Sequence, residues 1–439
     1  MTEPVDELAN RVAPMVGTAV DELQVAAVLE SQGFTDQVAK EKYGLPDVFA
    51  LAGAVFQKLP RDIEQPREET RIRTIRELSH GPLYVLPSLA YPAVFEWLGG
   101  PAMVHGLVFA TAIGWWWSMG MSLVAYRLSG HGLDRAAGRS LRIHGAVGLG
   151  AVAAGSLLID PRLWMFCLAQ MGFQVASCVL VTYRREAWVA VLMIPACSSG
   201  LANLVFDGLM AVTLFGGALS IVLMLAASWY VTGQAGPDAR KAPRALTLLR
   251  SAAPSVAYAA LCAGFMLNTD ARFVTGNLDL GIAVAPLVLG MGAVEWRAHR
   301  YSEQALDLLS RSRSVSAFRR DTWWLLIREL AACLVILGCL GIMLLGLLGH
   351  FGLLTTQGAL LVDAHVLLGG VFFLGFVLMR YEGLNSLLVI MPVVLIGNIV
   401  VNQLLPGAEV MVFLAGCALL LAGFLLVLRV TAGQVRRYR

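Results

Sequence analysis

The chain has 439 residues, 57% of them hydrophobic and only 14% charged, with a formal net charge of +3. A soluble domain is usually about 45–50% apolar, and here the apolar residues gather into runs of roughly the 20 residues a helix needs to cross a bilayer. That excludes a water-soluble globule for most of the chain, and the runs lack the alternation of a transmembrane barrel.

Residues 1–60 contain no run long enough to span and read as a small cytoplasmic helical module. MTEPVDELAN is acidic and lacks a hydrophobic core region, so no signal peptide is expected. Asp21 precedes ELQVAAVLESQ, and Gly33 stops it. Thr35 caps TDQVAKEKYG, which Gly44 ends, and Pro46 opens PDVFALAGAVFQKL as a first-turn proline. Leu23, Ala27, Val48, Leu51, Val55 and Phe56 are the expected core. Residues 61–81 carry five arginines against five acids and read as a charged juxtamembrane linker, solvated or lying on the membrane surface.

Twelve apolar segments follow, at 82–98, 103–126, 145–159, 163–183, 187–206, 209–232, 252–275, 279–296, 324–348, 357–379, 384–404 and 409–430. Cytoplasmic loops are enriched in Lys and Arg. With the N-terminus inside, the inner loops and tail hold 21 basic residues, whereas the outer loops and helix ends hold Arg162 and Arg272. The expected chain is therefore an all-α polytopic membrane protein of 12 transmembrane helices, with both termini cytoplasmic.

The segments fall into two six-helix bundles, 82–233 and 251–433, joined by a basic linker at 234–250 and ending in a basic tail at 434–439. In each, the second span is followed by a long basic inner loop, 127–144 and 297–321. Arg297, Arg300, Arg311 and Arg313 in the latter are placed to bind anionic headgroups. Paired halves are the usual plan of secondary transporters.

The seven cysteines lie in or beside apolar runs, with no C-x-x-C spacing, and read as small buried hydrophobes. No metal site is expected. A P-loop, a G-x-S-x-G and an H-E-x-x-H are all missing from the sequence. No cofactor is expected, and no nucleic acid partner.

The entry to the second half, TLLRSAAPSVAYAALCAGFMLNTDARFVTG, resembles the multidrug/oligosaccharidyl-lipid/polysaccharide (MOP) flippase superfamily, and within it the polysaccharide-transporter type. The matched positions are Pro254, Asp270 and Arg272. In that family the basic residue more often follows the Asp directly; here Ala271 intervenes. The layout is similar over residues 82–433. The resemblance implies two bundles around a central cavity, alternating access, a lipid-linked saccharide as cargo and a bacterial plasma (inner) membrane.

A charge within the bilayer is costly, so intramembrane ionisable groups are candidates for function. Asp270 and Arg272 either mark an outer helix end, with Arg272 snorkelling to headgroups, or wall a translocation cavity. Asp363 and His365 lie well inside the tenth span, either as a proton-coupling acid with its relay or as structural hydrogen-bonding groups. Gln170 with Gln174, and Asn398 with Asn402, share helix faces at i,i+4. They either bind sugar hydroxyls or join helices. Trp115, Trp116 and Trp117 either line a cavity or pack.

The function expected is a flippase for a lipid-linked saccharide, with anionic lipids and a cytoplasmic protein on residues 1–60 as further partners. The rival enzyme reading is an integral-membrane polysaccharide polymerase or glycosyltransferase. It needs a sizeable outer loop, and the outer loops here are short. The third reading is a membrane scaffold of a polysaccharide synthesis complex.

Overall fold

The computed structural model describes residues 5–16, 22–59, 67–206, 208–234, 236, 238, 245–273, 278–312, 314–381 and 383–431. Among them the secondary structure is helical throughout. The N-terminal helices are α1 (Val5–Val16), α2 (Glu22–Ser31), α3 (Asp36–Tyr43) and α4 (Val48–Lys58). The first half of the membrane body comprises α5 (Arg67–Val85), α6 (Tyr91–Leu98), α7 (Gly100–Gly130), α8 (Asp134–Ile159), α9 (Trp164–Thr182), α10 (Glu186–Leu192), α11 (Ile194–Val205) and α12 (Met210–Thr232). The second half comprises α13 (Ala245–Phe273), α14 (Leu278–Gly281), α15 (Ala285–Arg311), α16 (Val315–His350), α17 (Thr356–Arg380), α18 (Leu384–Leu404) and α19 (Glu409–Thr431).

Two compact units emerge: residues 1–73 with 303–322, and residues 74–302 with 323–439. In the first, Leu8, Val12, Val25, Leu29, Leu51 and Val55 form a shared core. Thr35 caps α3, and Gly44, at φ +70°, closes it as expected. Asp47, not Pro46, starts α4, because its carboxylate accepts the Ala50 amide at 2.7 Å. Leu23 is 65% exposed. Helix α2 turns Val25, Ala26 and Leu29 inward instead, toward α4 and an α1 helix not foreseen. Arg73 and Glu303 pair within this unit.

Among the described residues the twelve predicted segments are mainly helical. Among the described residues ten helices are long and apolar enough to cross a membrane, and α10 and α11, bent by 44° at the break between them, pass the same test together. The first segment is broken among the end of α5, a 3-10 turn at Leu86–Ala90 and α6. Large apolar side chains such as Ile342, Met343, Val389 and Val393 point outward, as bilayer lipid requires. The chain is thus a polytopic helical membrane protein.

Two sequence expectations need correction. The basic inner loops are helix: α7 and α8 are separated by residues 131–133 alone, and α15 runs through Arg311. At 36 residues, α16 is about 54 Å long, well beyond the ~30 Å hydrocarbon core, so charged helix ends project where loops were expected. The linker at 61–81 likewise becomes helical from Arg67, and it buries Glu77 and His80.

Within the first half, α7, α8, α9 and α12 pack together, while in the second α13 packs on α18, and α17 and α18 pack on α19. The halves touch along α7 and α13. Trp115 meets Phe372 edge-on with centroids 5.9 Å apart.

Asp279 ties α14 to the head of α17. It is fully buried, and its Oδ2 accepts the amide of Thr355 at 2.9 Å and its hydroxyl at 2.5 Å. Thr355 in turn caps α17 through the Gly358 amide. Asp279→Ala is expected to destabilise the folded chain by about 1–3 kcal/mol, the cost of stranding buried donors. Asp279→Asn keeps an acceptor and should cost less. Thermal unfolding in nanodiscs measures both, and an unchanged midpoint for the alanine variant would refute the tie.

Candidate functional site

Helix α17 is the most enclosed span. In its most apolar stretch 72% of residues are buried, against 22% in α16. Its glycines admit close neighbours: Leu337 fills the space over Gly369, and the Tyr258 hydroxyl the space over Gly375. A polar side chain on such a helix needs a protein partner.

His365 is fully buried on α17. Its Nδ1 lies 2.8 Å from the carbonyl oxygen of Leu361. A carbonyl can only accept, so Nδ1 carries a hydrogen. Nε2 faces Asp270 on α13, 3.2 Å from Oδ1 and 3.3 Å from Oδ2. A bare Nε2 opposite an ionised carboxylate would set lone pair against lone pair. One proton between them removes the conflict, whether it rests on the ring or on the acid. In either form the pair is neutral overall, which suits an apolar site. Phe413 of α19 packs on the imidazole at 5.5 Å, and Phe265 of α13 packs on Phe413 at 5.2 Å. The Asp270 side chain keeps 14% exposure, so the pair is reachable from one side.

Asp363 and His365 do not meet, as their i,i+2 spacing indicates. Two residues along a helix lie about 200° apart, so when His365 turns inward Asp363 turns out. Asp363 is exposed, the single exposed side chain between Gly358 and Met379. Arg272 is exposed at the end of α13, where its Nε donates to the Asn268 carbonyl at 3.1 Å.

Asn398 and Asn402 of α18 are buried, 4% and 5% exposed. Asn398 approaches Gly416 of α19, which also meets Phe265. Asn398 Nδ2, both amide atoms of Asn402, Asn268 Nδ2 and Thr269 Oγ1 have no hydrogen-bond partner among the described residues. Helices α13 and α18 pack together, so this unmet polarity and the Asp270–His365 pair belong to one helix cluster.

Gln170 and Gln174 behave differently. Tyr91 donates to Gln170 Oε1 at 3.2 Å, and Gln174 Nε2 donates to the Ala110 carbonyl at 3.2 Å. Both stitch α9 to its neighbours. Gln170 also lines an apolar cavity of about 230 Å³ within the first half. Trp117 donates to the His144 carbonyl at 2.9 Å and stacks edge-on with Trp116, so it is a packing residue.

The headgroup arginines divide. Arg297 pairs with the buried Glu329 at 3.0 Å and lies 4.4 Å over the Trp296 ring; it is a structural cation, not a free one. Arg300 is exposed. Arg311 is largely exposed and pairs with Asp307 at 3.1 Å. Arg313 lies outside the described residues.

A second charged cluster was not anticipated. On α5, Arg76 meets Glu186 at 3.3 Å, and His80 lies 2.6 Å from Glu295 of α15 and 3.7 Å from Glu186 at the head of α10. Glu77 pairs with His299 of α15 at 3.0 Å. His80 and Glu77 sit in the stretch read as linker. Glu295, an acid inside the eighth apolar segment, was the available signal.

No family model and no curated protein matches the chain. Among solved structures it is similar to one described as the crystal structure of MATE in complex with MaD5, with 14% identity over 83% of this chain and 95% of that chain, and a TM-score of 0.49. At that identity and score the likeness carries no weight, and the fold rests on the helices described above.

Proposed function

We propose that the chain is a membrane transporter of the MOP flippase kind, moving a lipid-linked saccharide across the bilayer by alternating access, coupled to protons at Asp270 and His365. The observation that carries the reading is the shared proton position between α13 and α17 in an apolar interior. A coupling site must bind and release an ion without stranding charge, and a carboxylate facing an imidazole nitrogen can do so. The resemblance of residues 247–276 to the family supports the same assignment.

The cargo problem is physical. A sugar headgroup is too polar to cross hydrocarbon, so it needs a hydrated, polar-lined route, while its lipid tail can stay in the bilayer. Asp363, outward on an otherwise enclosed helix, is the group we assign to that route. Asn398, Asn402 and Arg272 supply donors for hydroxyls or phosphate. Arg300 within α15 and Arg311 at its end would meet anionic lipid. Residues 1–60 offer a folded module for a cytoplasmic partner.

The test uses purified protein in liposomes and a fluorescent lipid-linked oligosaccharide under an imposed pH gradient. Translocation should follow the gradient. Asp270→Asn and His365→Gln should each reduce it by roughly two orders of magnitude, the size expected when a positioned proton-transfer group is lost. Gradient-independent movement that both variants retain would sink the assignment, and new glycosidic bonds would replace it with the enzyme reading.

The arginines give a separate expectation. Arg297→Gln removes one of the two cations on the buried Glu329, leaving it Arg328, and should lower the unfolding midpoint. Arg300→Gln should leave the midpoint unchanged and weaken the dependence of translocation on anionic lipid. Equal midpoints for the two variants would contradict the division.

A further inference from the structure

The geometry points to a proton-dependent clasp between the two halves of the membrane body: His80 of α5, when charged, holds Glu186 of the first half and Glu295 of the second, and its deprotonation lets them part.

Three observations carry this. The first is position. Glu186 opens α10 and Glu295 lies on α15, so the imidazole bridges helices from both halves. His80 and Glu186 are buried, and the 2.6 Å separation from Glu295 is that of a short charge-assisted hydrogen bond.

The second is the backbone. A Cβ on Gly81 would lie 1.9 Å from the Leu289 carbonyl oxygen, and one on Gly292 would lie 2.4 Å from that of Glu77. Helices α5 and α15 therefore touch main chain to main chain beside His80. Such contacts are favourable but undirected, so the charged groups determine whether the crossing is held.

The third is charge balance. Glu295 of α15 and Glu186 of α10 act on the imidazole directly, Tyr84 of α5 packs beside it, Tyr126 of α7 and Cys178 of α9 lie near Tyr84, and Arg76, Glu77 and His299 pair within the same cluster. Arg76 serves Glu186, and His299 serves Glu77. Among the described residues, Glu295 has His80 as its ion-pair partner and no other. A neutral His80 leaves that carboxylate without a counter-charge in a half-buried site.

Burial pulls the His80 pKa down, but the hydrogen bond and charge of Glu295, followed by those of Glu186, more than offset it and the net direction is up from 6.5. A raised histidine pKa contributes stability that is fully present below its ordinary value and is lost as pH rises through the shifted one. The clasp is thus closed in mildly acidic solution and opens toward alkaline pH. It lies on the arginine-rich side, away from the Asp270–His365 pair. It rests on the transporter reading only in what the opening would serve.

The test is a spin-label distance in the full chain in nanodiscs. Labels are placed through Arg185→Cys and Arg300→Cys, with the exposed Cys339 replaced by Ser. At pH 6 one short distance is expected. At pH 8.5 a longer population should grow at the expense of the short one. His80→Gln and Glu295→Gln should show the longer distance at both pH values. His80→Lys, permanently charged, should hold the short one at both. Asp270→Asn should keep the pH response. A wild-type distance that does not change with pH, or a response that survives in His80→Gln, overturns the clasp. A clasp that responds in a chain that moves no cargo overturns the transporter reading alone.

Discussion

Ionisable groups in an apolar medium must be neutralised, and this constraint orders the structure. An isolated charge costs several kcal/mol to bury. Asp270 and His365 meet that demand with each other and one shared proton position. Glu329 meets it with Arg297, Asp279 meets it by capping α17 through Thr355, and Glu186 meets it with Arg76 and His80. Each pairing fixes the rotation of a helix about its axis. Since α13, α15, α16 and α17 each carry such a group, their faces are set by polar partners as much as by apolar packing.

The same demand separates the two clusters in kind. Around Asp270 the partners come from the second half alone, from α13, α17, α18 and α19, with several amide and hydroxyl atoms still unmatched. Around His80 the partners come from both halves, and each carboxylate has an arginine or histidine beside it. The first arrangement suits binding and release of a small ion or of hydroxyl-rich cargo. The second suits holding two bodies together.

Helix length shapes what the arginine-rich side can do. Because α7, α8, α15 and α16 continue past their apolar stretches, their arginines are held on rigid elements and not on loops. Arg297 is consumed by Glu329, while Arg300 stays exposed. A count of basic residues by loop therefore overstates the charge available to lipid.

The helical class, the positions of the apolar segments and the polar residues of the tenth and eleventh spans follow from the sequence alone, because they depend on local hydropathy and on the length of a bilayer-crossing helix. The cap at Thr35 and the stop at Gly44 are equally local. The sequence also separates Asp363 from His365, since i,i+2 residues cannot share a helix face. It cannot say which of the two turns inward, nor that His365 finds Asp270 95 positions away. Nor can it distinguish a charged linker from a helix that buries His80 between two glutamates. Those outcomes depend on which helix packs against which and at what rotation. That is a property of the whole set of contacts, and only the tertiary structure decides it.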